Sequence, residues 1–60
     1  MHKFEVEFIR ETDMAVMVDW EGSEIWLPKS QIEGFSGAEE GDEIEIYVPE
    51  WLAEEKGMIE

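Results

Sequence analysis

The chain has 60 residues, 17 acidic and four basic, for a formal net charge of −13. A domain this small buries only about 60% of the surface that its unfolded form exposes. With no cysteine and one histidine, it has neither a disulfide framework nor a Cys/His zinc constellation to reinforce the core.

The apolar inventory, 43% of residues with three Trp and three Phe, argues for one folded domain over residues 1–60 and against a disordered acidic tail. No apolar run approaches the ~20 residues of a membrane span, and no signal-peptide pattern opens the chain. A soluble cytoplasmic protein is the expectation. Net charge far from zero repels nucleic acid and anionic membranes and attracts cationic protein surfaces.

Residues 3–10 alternate, with Phe4, Val6 and Phe8 on one face and Lys3, Glu5 and Glu7 on the other, the period-2 signature of a half-buried strand. A polar connection at Glu11, Thr12 and Asp13 leads to a second strand over residues 14–20. That strand is apolar on nearly both faces and therefore central in a sheet. After a turn at Glu21, Gly22 and Ser23, a third strand runs over residues 24–28 and stops at Pro28.

Residues 29–42 are turn-rich, with one helical turn or a short bridge at Ser30, Gln31 and Ile32, and with Ile32 and Phe35 as anchors. A fourth strand over residues 43–48 alternates Ile44, Ile46 and Val48 with Glu43, Glu45 and Tyr47. Pro49 opens a short helix, Gly57 caps it, and Met58 packs back on its last turn. This pattern predicts a mainly β fold: a small antiparallel, four- to five-stranded curled sheet or an SH3-like or OB-like barrel, with a short C-terminal helix.

Catalysis finds little support. A nucleophilic triad needs a histidine base, and the sole histidine, His2, stands at a terminus. The acidic turns around Gly22 and Gly41 do not follow the calcium-loop pattern, so no metal and no cofactor is expected. Outward aromatics such as Trp26 and Tyr47 could stack bases. Cations at only positions 3, 10, 29 and 56, however, predict no basic groove, and no direct nucleic-acid contact.

The carboxylates are the remaining feature. Residues i and i+2 of a strand project from one face about 6.6 Å apart, so Glu5 with Glu7 and Glu43 with Glu45 form two short acidic rows. Pairing of the first strand with the last would merge them into one patch, which Glu39, Glu40 and Asp42 would extend and Tyr47 would anchor. That spacing is roughly twice the rise of phosphates along one strand of a duplex.

Two stretches, Ile25-Trp26-Leu27-Pro28-Lys29-Ser30-Gln31-Ile32 and Val48-Pro49-Glu50-Trp51-Leu52-Ala53-Glu54-Glu55-Lys56-Gly57, resemble a pattern in very short proteins of phages and mobile elements. The resemblance implies a phage-type origin, action in a bacterial host's cytoplasm, and kinship with small acidic anti-CRISPR or anti-restriction inhibitors that mimic DNA. It carries no catalytic residues.

Charge and resemblance together predict a non-enzymatic inhibitor. Its residues Glu5, Glu7, Glu39, Glu40, Asp42, Glu43, Glu45 and Tyr47 would occupy a cationic nucleic-acid-binding groove of a host defence complex, a CRISPR effector foremost. The alternative is a small phage interaction module, or a replication or recombination accessory protein, working through an apolar groove around Trp26, Trp51 and Met58.

Overall fold

The structure, a computed structural model, describes residues 1–59. Its elements are β1 (His2–Glu11), β2 (Ala15–Trp20), β3 (Ser23–Pro28), a 3-10 turn (Lys29–Gln31), β4 (Glu43–Val48) and α1 (Glu50–Glu55). The strands form one antiparallel sheet in the order β3-β2-β1-β4. The sheet is curled but unclosed, with β3 and β4 at opposite edges. This is the mainly β architecture with a C-terminal helix that the alternation predicts.

The inner face follows from period 2. Val6 and Phe8 of β1, Val16 and Val18 of β2, Leu27 of β3, and Ile46 and Val48 of β4 are all buried. Ile32 from the long connection, Leu52 and Ala53 of α1, and Met58 complete the same core, so a helix and a loop cover the concave side. Phe4 and Trp20 meet edge to face, ring centroids 5.8 Å apart, at the margin of this cluster.

Local chemistry sets the ends of the elements. The Thr12 hydroxyl accepts from the backbone N–H of Ala15 at 3.2 Å, and Thr12 N–H donates to the Ala15 carbonyl at 2.8 Å, which closes the first turn. Met14, expected inside the second strand, therefore lies in that turn and is 79% exposed.

The second hairpin turns on two residues, Glu21 (φ 49°) and Gly22 (φ 83°), a type I′ pattern whose twist matches the strands it joins. Ser23 is accordingly the first residue of β3 rather than part of the turn.

The connection before β4 runs along the outer edge of that strand: Tyr47 N–H donates to the Glu33 carbonyl at 2.8 Å, and Glu33 N–H to the Tyr47 carbonyl at 3.1 Å. Gly34 follows at φ 96°, so close to β4 that a Cβ there would collide with the Glu45 carbonyl oxygen.

The helix end matches its sequence. Gly57 takes φ 76° and donates to Glu54, while Met58 N–H donates to Ala53 at 2.8 Å. This is a Schellman cap, with Met58 buried beneath it.

Candidate functional site

The outer face of the sheet is built by the residues that the core does not use. On β1 and β4 the register sets Glu5 opposite Glu45 and Glu7 opposite Glu43. On its other side Glu7 stands opposite Asp19 of β2, and Asp19 opposite Glu24 of β3. Glu43, Glu7, Asp19 and Glu24 thus form one row of carboxylates across all four strands, at the strand spacing of about 4.8 Å. Glu45 and Glu5 make a shorter row beside it.

Like charges directly opposite one another destabilise a sheet. Among the described residues one ion pair relieves these rows, Lys3 Nζ to Glu45 Oε2 at 3.4 Å. The described residues place no three His, Cys, Asp or Glu side chains so as to hold a metal ion.

Glu5, Glu7, Glu43 and Glu45 are therefore brought onto one face, and Tyr47, opposite Lys3, continues it. The expected loop residues divide. Glu39 and Glu40 are exposed in the connection before β4. Asp42 turns its carboxylate back to accept from Glu39 N–H at 2.9 Å, so its side chain serves the turn. Asp19 and Glu24 join the patch although sequence reasoning did not select them. The signal was the two-residue turn between them, which by itself pairs residue 19 with residue 24.

The other end of the outer face has different chemistry. A bulge shifts the β1–β2 register between Phe8 and Arg10. At the same point the Phe8 N–H and carbonyl bond the Asp42 carbonyl and the Gly41 N–H, both at 2.7 Å. Strict alternation from Glu7 would send Arg10 inward; the extra residue turns it outward, opposite Met17, which stands opposite Trp26. The Arg10 guanidinium carbon lies 5.6 Å from the Trp26 ring centroid, within cation–π range.

Beside Trp26 opens a hollow of about 460 Å³, lined by Met14, Leu27, Pro28, Lys29 and Lys56 among others. The four cations, at positions 3, 10, 29 and 56, were expected to make no basic groove. Instead the β1–β2 hairpin, the end of β3 and the chain after α1 bring Arg10, Lys29 and Lys56 to one end of the molecule. Lys29 is held 3.5 Å from Glu11.

The apolar groove expected around Trp26, Trp51 and Met58 is not one surface. Met58 is buried in the core by the helix cap, and Trp51, exposed on α1, does not line the hollow beside Trp26.

A profile described as the S1 domain matches residues 2–48, which takes in the whole four-stranded sheet and stops before α1. No curated protein and no solved structure matches the chain.

Proposed function

The chain belongs to the S1 domain family, which has an OB-like fold, and from that premise we propose a non-catalytic binding domain whose acidic outer face docks on a basic protein surface. The observation that carries this reading is the in-register row Glu43, Glu7, Asp19 and Glu24, with Glu45 and Glu5 beside it.

The core needs none of these charges; neutral residues on the outer face would leave the inner alternation intact. Opposed like charges cost the free domain stability, and an apposed row of Arg and Lys removes that cost on docking. Nucleic-acid-binding grooves, those of host defence complexes such as CRISPR effectors among them, present this chemistry. Docking there is a form of DNA mimicry.

The test is capture of partners from a bacterial lysate, with elution by rising salt or by competing duplex DNA. The expected outcome is release by both, and loss of capture by Glu7→Lys with Glu43→Lys. Capture indifferent to salt and to the double reversal would refute the acidic face.

A second reading rests on the opposite end of the same face. In OB folds the β2–β3 surface and the β1–β2 loop hold oligonucleotides, and here that place carries Trp26 beneath Arg10, with Lys29 and Lys56 at the hollow. It predicts quenching of Trp26 fluorescence by single-stranded DNA or RNA, abolished in Arg10→Ala. No quenching at low salt, where phosphate contacts are strongest, would remove it.

A further inference from the structure

The two edges of the sheet are unequal. Along β4 the Glu33–Tyr47 bridge and the Gly34 approach cover the outer edge. Along β3 no described residue does, and its six residues carry neither a bulge nor an internal proline. Natural sheets usually guard such an edge. The two-residue turn makes Trp20 and Ser23 the closing pair of their hairpin, so hydrogen-bonded pairs alternate from there: residues 18 with 25, then 16 with 27. Lys29 N–H donating to the Met14 carbonyl at 2.8 Å continues that alternation. It leaves the N–H and C=O groups of Glu24 and Trp26 aimed away from β2, and neither residue makes a backbone bond outside the sheet among the described residues.

We propose that this edge pairs with the β3 of a second copy of the chain, antiparallel about a two-fold axis, with Glu24 of each copy opposite Trp26 of the other. This register uses all four free groups of each copy and never asks Pro28 for an N–H.

Charge argues for the second copy as the occupant. The outer face is acidic at one end; at the other Arg10 lies over Trp26, and Lys29, paired with Glu11, and Lys56 share the hollow with Asp13, which leaves a cationic excess. An antiparallel two-fold sets each end beside its opposite. The row Glu43-Glu7-Asp19-Glu24 of one protomer runs on into Trp26, Met17 and Arg10 of its partner. The Glu21–Gly22 turn of one comes alongside Pro28 and Lys29 of the other, at the rim of the hollow that also holds Lys56. Net repulsion between two copies at −13 acts over a Debye length of about 8 Å at physiological salt, whereas the apposed ends are in contact.

Sedimentation equilibrium from about 10 μM to about 1 mM, a range covering weak association, tests this. The wild-type mass is expected to rise from the 7.0 kDa monomer towards twice that value. Glu24→Pro removes one outward N–H at a sheet edge, where proline is tolerated, and is expected to stay monomeric with an unchanged β spectrum. Glu24→Lys keeps the backbone donor and sets a cation beside the partner's cationic end; it is expected to weaken association at least tenfold. Adding Arg10→Glu to it is expected to restore pairing. A wild-type chain that stays monomeric throughout, its edge taken only by a strand of another protein, overturns the proposal. So does a dimer of equal strength in both Glu24 variants.

Discussion

The two ends of the outer face share four strands and differ in almost everything else. At one end Glu5, Glu7, Asp19, Glu24, Glu43 and Glu45 meet, among the described residues, a single ion-pairing cation, Lys3. At the other, Arg10 lies over Trp26, and Lys29 and Lys56 line one hollow. The inner face is continuous beneath both, so the core does not account for the contrast. What separates them is one bulge and the ladder register: before Phe8 the outward residues Glu5 and Glu7 of β1 stand in the acidic rows, and beyond the bulge Arg10 is outward. A net charge describes this surface poorly, because it hides a strong division along the strands.

The most direct way to break the comparison is to erase the acidic end. Glu7→Lys with Glu43→Lys inserts cations in the middle of the row, and partner affinity is expected to fall by at least a hundredfold, about 3 kcal/mol, the scale of a lost contact between close charge pairs at an interface. Isothermal titration at two salt concentrations measures it. The circular dichroism of the variant should match the wild type, since both side chains point away from the core. Arg10→Ala is the mirror experiment: it should leave that affinity within twofold.

A somewhat smaller effect is expected from the loop that holds β4 in place. Gly34→Ala must adopt a positive φ and also push its Cβ away from the Glu45 carbonyl. A loss of about 2–3 kcal/mol in urea unfolding is expected. The same change at Gly37, also at positive φ but with open space around it, should cost only about 1 kcal/mol. Equal losses at the two glycines would show that close packing on β4 plays no part.

Smaller again is Glu21, the one described non-glycine residue at positive φ. Asparagine suits the first central position of a type I′ turn far better, and it also removes a charge. Glu21→Asn is expected to stabilise the domain by about 1 kcal/mol and to leave both ends of the outer face unchanged.

How much of this was legible in the sequence differs by level. Alternation in β1 and β4 gave the inner residues Val6, Phe8, Ile46 and Val48, and Gly57-Met58 gave the helix cap, because each signal is local and its physics is complete within a few residues. The gathering of Arg10, Lys29 and Lys56 was hidden. It depends on a bulge that carries no glycine or proline to announce it, and on the chain after α1 returning to the β1–β2 turn. The burial of Met58 was half visible. Its capping contact was expected, yet that contact is what removes it from any surface groove. Asp19 and Glu24 were missed for another reason: partnership across strands is a matter of register, and only the two-residue turn fixes it.

The smallest expected effect is the most specific to the comparison. Glu7 stands in the middle of the row, between Glu43 and Asp19, so neutralising it relieves two opposed pairs at once. Glu7→Gln keeps the shape and the outward exposure. It should raise stability by about 0.5 kcal/mol at low ionic strength, within the range of about 0.2–1 kcal/mol for cross-strand pairs. Glu54→Gln, on α1 and outside the rows, removes the same unit of charge. If total charge alone strains the domain, the two variants gain equally. If the row is what strains it, Glu7→Gln gains more, and the difference vanishes at about 1 M salt, where the screening length shrinks to about 3 Å.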